Sequence, residues 1–210
     1  MFVSWIPVHP RRRVERLVPP AVAMIGRSFP RVLEAAAGGD EDAFGKLWRD
    51  LQPRLLRYLT VVAPGAAEDL ACKTWSAVVG GVGRFRGDEP MFRAWLFTIA
   101  HHETQEWRRR AAHAPTQIVP VPDIVDLAAP DDPAGGVLEG VSTRAALSLL
   151  ATLPPDQAEA IALRVVAGLD MVGVASIMGK RPGTVRGLAH RGLRGLAERL
   201  SASGRIRGTV

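Results

Sequence analysis

The chain has 210 residues, 47% of them hydrophobic and 23% charged, which allows one ordinary domain or two small ones and excludes a chain too polar to bury a core. A formal net charge of +6 and a pI near 10.6 favour a polyanionic partner, although a soluble basic protein fits the charge alone equally well. The single cysteine, Cys72, excludes an internal disulfide framework and a cysteine-cluster zinc site, suits a reducing cytoplasm, and reads as a small buried hydrophobe.

Residues 1–28 read as a flexible basic tail carrying Arg11, Arg12 and Arg13, with Met24 a second candidate start. No apolar run of signal-peptide quality follows the arginines, and none approaches the length of a membrane span, so no membrane partner is expected. From Val32 to Ala112 the periodicity is helical throughout. The pattern predicts a helix from Phe29 to Ala37, stopped by Gly38-Gly39, with Asp40 as N-cap of the next. That second helix carries an apolar stripe of Ala43, Phe44, Leu47, Trp48 and Leu51, restarts or bends at Pro53, and continues through Leu55, Leu56 and Leu59. A third runs from Ala66 to about Val79 and ends in the cluster Gly80-Gly81-Val82-Gly83.

A polar turn, Arg86-Gly87-Asp88-Glu89-Pro90, leads into a long helix with Phe92, Trp95, Leu96, Ile99 and Ala100 on one face and Arg108-Arg109-Arg110 at its end. Trp95 reads as a core aromatic. Residues 114–142 hold five prolines, five acids and no basic residue, the composition of a linker between two domains. Helical periodicity returns over 144–151, 156–167, 171–178 and 183–200, and no strand or hairpin signal occurs, so the fold class is all-α, with two small helical domains.

The last three of these segments carry the most information. Pro154-Pro155-Asp156 opens a helix that stops at Gly168, and a short helix bearing Val172, Val174, Ala175, Ile177 and Met178 stops at Gly179. Pro182-Gly183-Thr184-Val185 then starts a basic helix, which is the helix-turn-helix pattern. On that last helix Val185, Leu188, Ala189, Leu193, Leu196, Ala197 and Leu200 form an apolar stripe, while Arg186, His190, Arg191, Arg194 and Arg199 lie off it. From residue 180 to 210 there are eight basic residues against one acid, a net +7, so the excess charge sits where a groove-reading helix needs it. A basic run alone fits a solvated bundle helix; the turn chemistry ahead of it is what favours DNA.

Leu153-Pro-Pro-Asp-Gln157, Ala162-Leu-Arg164, Gly168-Leu169, Gly183-Thr-Val185 and His190-Arg191 resemble, in order, region 4 of the extracytoplasmic-function (ECF) sigma factors of RNA polymerase. The first half resembles region 2 of the same family through Glu68-Asp69-Leu70, Thr74-Trp75, Phe85-Arg-Gly87, Phe92-Arg93-Ala94-Trp95-Leu96 and Ile99-Ala100. The resemblance assigns residues 29–113 to region 2 and 143–203 to region 4, with 204–210 a tail. It implies a cytoplasmic promoter-specificity subunit with no catalysis and no cofactor, partnered by core polymerase, promoter DNA and, where one exists, an anti-sigma factor. Region 2 would dock on the β′ clamp helices through Asp69, Leu70, Lys73 and Thr74. Arg86, Asp88 and Glu89 with His101, His102, Arg108 and Arg109 would meet the −10 element. Region 4 would dock on the β flap and read the −35 element through Lys180, Arg181, Thr184, Arg186, His190, Arg191 and Arg194. The acidic linker resembles the one that threads the polymerase channel, and a generic acidic spacer fits equally well. At about 100 Å extended or about 30 Å as a coil, it can follow two DNA turns of roughly 70 Å.

Four departures from the family pattern stand out. Cys72-Lys73 replaces a Gln and an acid, Arg181 replaces a capping Ser, His101-His102 replaces Arg-Asn, and Glu106 stands at the usual Asp position. The adjacent histidines point to different helix faces and lack HExxH spacing, so they form no metal site. The competing readings are a helix-turn-helix regulator that binds duplex DNA without polymerase, and a degenerate protein-binding relative.

Overall fold

The structure, a computed structural model, describes residues 25–113 and 137–207, and among these every regular element is helical. Helices α1 (Phe29–Ala37), α2 (Glu41–Val62), α3 (Ala67–Gly81) and α4 (Glu89–His113) form the first module. Helices α5 (Val137–Ala151), α6 (Pro155–Ile161), α7 (Met171–Ile177) and α8 (Pro182–Arg207) form the second.

The local signals act where the residues place them. Asp40 caps α2, its carboxylate accepting from the Ala43 N–H at 2.8 Å, and α2 then runs through Pro53 to Val62 without a break. Asp170 caps α7 in the same way through the Gly173 N–H at 2.7 Å. The stops after α6 and α7 fall at Gly168 (φ 69°) and Gly179 (φ 61°), left-handed positions that glycine adopts without a Cβ penalty. Between α6 and Gly168 the chain makes a single π turn, Ala162–Val166, closed by the Ala167 N–H on Ala162 O at 3.0 Å.

Three expected spans change. The stretch assigned to the linker becomes helical at Val137, where α5 begins, and α8 continues past Leu200 to Arg207. Within the tail assigned to residues 1–28, Gly26–Ser28 form a 3-10 turn tied down by Glu89, whose carboxylate accepts from the Ile25 and Gly26 N–H groups at 3.2 and 2.9 Å. Residues 1–24 and the first part of the linker assignment, 114–136, lie outside the described residues.

α2 is the axis of the molecule. It packs on α1, α3 and α4 and also on α5, α6 and the π turn of the second module. Leu47, Leu51, Leu55, Tyr58 and Leu59 are buried in this core, whereas Trp48, expected on the same stripe, is 43% exposed. The stripe is narrower than the residue types suggest, because Trp48 lies at its edge. The indole of buried Trp75 is satisfied by Gln52 Oε1 at 2.6 Å. Trp95 sits half-buried in an aromatic cluster, stacked on Phe85 at 5.1 Å between centroids and beside Phe92 at 5.5 Å. Among the described residues no helix is long and apolar enough to cross a membrane.

Candidate nucleic-acid interface

α8 presents one side to its own module and the other outward. Val185 and Leu188 are buried, Ala189 and Leu196 pack against the core, and α6 and α7 supply the surface they cover. Arg181, Thr184, Arg186, His190, Arg191 and Arg194 are exposed. Arg186, His190 and Arg194 recur every fourth residue, so they stand in one row along the helix.

The apolar stripe of α8 differs from the expected one at Leu193 and Ala197, both exposed. Leu193 is 54% exposed, and Gly192 takes the inward position, where an added Cβ would fall 2.7 Å from Ile161 Cδ1 and 3.3 Å from Leu153 Cδ1. α8 and α6 approach so closely there that a Cβ at 192 would displace the end of the Ile161 side chain, and the side chain one step on turns outward. Leu193 thus joins the row of His190 one turn later, an apolar group suited to a thymine methyl. Periodicity alone favoured leucine for the core, and the neighbouring glycine was the signal to weigh against it.

Two of the expected contacts are partly engaged within the protein. Lys180 Nζ lies 3.1 Å from Asp156 Oδ2, and Arg194 Nε lies 3.6 Å from Glu198 Oε1. The second pair is exposed on both sides, a contact worth at most about 1 kcal/mol that a phosphate displaces readily.

In the first module the loop before α4 divides its polar groups. Arg86 is exposed, with Nη1 donating to the carbonyls of Gly83 and Phe85 at 2.9 and 2.7 Å. Asp88 is exposed and caps α4, accepting from the Met91 N–H at 2.9 Å. Glu89 turns inward to the 3-10 turn and also lies 3.6 Å from the buried guanidinium of Arg93, so it is placed to hold the N-terminal turn rather than to face a base.

Along α4, His102 and Arg109 are exposed, Arg109 being paired with Glu106. Burial first, then the charges of His101 and Arg109, hold the His102 imidazole below its ordinary range. His101 and Arg108 point the other way, to Glu159 of α6. Glu159 was not among the expected site residues; its signal was an acid in helical phase with Ala162 and Leu163, both fully buried.

The four residues expected on the α3 face do not share it. Asp69 and Lys73 are exposed, but Leu70 is 1% and Thr74 0% exposed, the Thr74 hydroxyl donating to Leu70 O at 2.7 Å. Leu70 and Thr74 therefore belong to the core behind the surface. Cys72, expected in the core, is exposed beside Lys73, because the helix phase set by buried Leu70, Ala71, Thr74 and Trp75 turns position 72 outward. Val79, 59% exposed on the same helix, is an apolar group on this surface that the sequence reading passed over. Among the described residues no group of three or more His, Cys, Asp or Glu side chains is placed to hold a metal ion.

Comparison with known proteins agrees with this division. Residues 47–114 match the model of sigma-70 region 2, and residues 143–196 match the model of sigma-70 region 4. The ECF RNA polymerase sigma factor BldN of Streptomyces coelicolor is 30% identical over 190 residues, spanning 86% of this chain and 69% of that protein. SigD of Mycobacterium tuberculosis is 30% identical over 196 residues, spanning 89% and 91%. Among solved structures, CnrH in complex with the cytosolic domain of CnrY superposes with a TM-score of 0.56 at 22% identity, covering 83% of this chain and 98% of that one. RpoE of Bartonella quintana in complex with the anti-sigma factor NepR gives the same TM-score at 23% identity, covering 75% and 96%. The last two similarities establish a shared fold.

Proposed function

The chain belongs to the ECF RNA polymerase sigma factors, and from that premise we propose how its surfaces share the task of directing core enzyme to promoters. The outward face of α3, with Asp69, Lys73 and Val79, docks on the β′ clamp helices. Arg86, Asp88, His102 and Arg109 meet the −10 element, with His101 and Arg108 joining them once Glu159 is withdrawn. The exposed row of α8 enters the major groove at the −35 element, with Arg181, Thr184, Arg186, His190, Arg191 and Arg194 to phosphates and base edges. An anti-sigma partner belongs to the same proposal, since chains sharing this fold are held in complexes of that kind.

The observation that carries the reading is the one-sided charge of α8, whose basic residues from Arg186 to Arg199 are exposed while its opposite side is packed on α6 and α7. Specificity rather than catalysis is the role it supports, exercised in the compartment that holds polymerase. The test is transcription in vitro from mapped promoters with purified core polymerase. Val79→Asp and Asp69→Lys, both at exposed positions, weaken core binding without lowering thermal stability. Equal core affinity in both variants rules out the α3 surface, and promoter binding that is tight without core polymerase rules out the sigma reading.

A further inference from the structure

The two modules are closed on one another through a buried carboxylate. Glu159 of α6 is 1% exposed, and three residues of the first module hold it. The Tyr58 hydroxyl donates to Oε1 at 2.8 Å, His101 Nδ1 lies 2.7 Å from the same oxygen, and Arg108 Nη1 lies 3.5 Å from Oε2. Arg108 is itself fixed by donating from Nη2 to Val62 O, at the end of α2, at 2.9 Å. Every residue from Ala158 to Leu163 is buried, because α6 has α8 on one flank and α2 on the other. A helical segment buried on every face is an interior element, and here part of that interior lies between the modules. α7 adds to the closure by packing on α4.

We propose that Glu159 is an autoinhibitory latch, a carboxylate occupying, on α4, the place that a promoter-strand phosphate takes in the open protein. The inference rests on the reading of α4 as the −10 face. A carboxylate between an imidazole and a guanidinium makes the charge-assisted contacts that a phosphate oxygen would make, so the two compete for one pair of groups. Closure also sets the modules against each other, whereas grips on two stretches of duplex roughly 70 Å apart require them to separate. Free protein therefore rests closed, and α4 becomes fully available only when the second module swings away.

The test uses the full chain, free of polymerase. Spin labels at the native, exposed Cys72 and at Ser176→Cys, exposed on α7, report the separation of the modules by pulsed electron resonance. Wild-type protein gives one short, narrow distance distribution. Glu159→Gln and Tyr58→Phe, both outside the proposed DNA and polymerase surfaces, each move the population toward long distances by about tenfold, the scale of a hydrogen bond to a buried charge. Unlabelled versions bind a fluorescent single-stranded −10 oligonucleotide correspondingly tighter and keep core-dependent transcription. Tyr58→Phe removes only a hydroxyl, so it tests the latch even where Glu159→Gln loosens the fold. A free wild type already at long distances, or variants with wild-type distances and oligonucleotide affinity, overturns the proposal. The distances judge the latch whatever the transcription assay returns, whereas a wild type unable to support core-dependent transcription counts against the promoter reading alone.

Discussion

The ring of Trp95 lies against Gly81: a Cβ at Gly81 would sit 2.8 Å from Trp95 Cζ2 and 3.1 Å from Cη2, inside the 3.5–4.0 Å at which carbon atoms attract. The contact seats α4 on the end of α3 directly behind the loop that carries Arg86 and Asp88. The indole has little freedom to retreat, since Phe85 stacks on it and Phe92 stands beside it.

Gly81→Val therefore destabilises the first module by about 1–3 kcal/mol, the usual range for overpacking a well-filled site. Chemical denaturation followed by circular dichroism measures it. An unchanged midpoint shows that the aromatic cluster yields.

Two other glycines respond in opposite directions. Gly168→Ala forces φ 69° on a residue with a Cβ, costing about 1–2 kcal/mol; its Cβ would meet Arg93 Nη1 only at an ordinary 3.5 Å, so the strain lies in the backbone. Gly183→Ala lies in the first turn of α8 with nothing within 4 Å of the new Cβ, and gains up to about 1 kcal/mol from helix propensity. Thermal melts that rank the two variants the other way refute both assignments.

Arg186→Ala and Arg194→Ala each reduce transcription from −35-dependent promoters, by about 1–3 kcal/mol where the side chain reads a base edge and less where it meets only phosphate. Both side chains are exposed, so the loss appears in promoter binding at unchanged melting temperature. Normal transcription from the double variant removes α8 from the promoter.

Burial alone would push the Glu159 carboxyl up, but the hydrogen bond and charge of His101, the Tyr58 hydroxyl and Arg108 outweigh it and hold the carboxyl below its ordinary 4.5. A carboxyl depressed in the folded state contributes stability that is present above its unfolded value and lost as pH falls through the folded one. The wild type therefore loses more stability below pH 4.5 than Glu159→Gln does, measured as the difference between their denaturation midpoints across an acid series. Parallel curves show that the carboxylate contributes nothing to acid sensitivity.

The sequence by itself determined what is local. Asp40 ahead of Ala43, the glycines at 168 and 179, and Pro182 ahead of a basic helix each act within a few residues, through a cap, a positive φ or a fixed φ. Helix spans and the concentration of charge in the last 31 residues were legible for the same reason. Helix phase was less so: Trp48, Cys72 and Leu193 were assigned inward by residue type and lie outward, since at 3.6 residues per turn a one-residue shift rotates a side chain by about 100°. Tertiary structure alone decided the rest. Glu159 finds Tyr58 across 101 positions of sequence and His101 across 58, and no periodicity within a helix encodes which surface of another module will supply its partners.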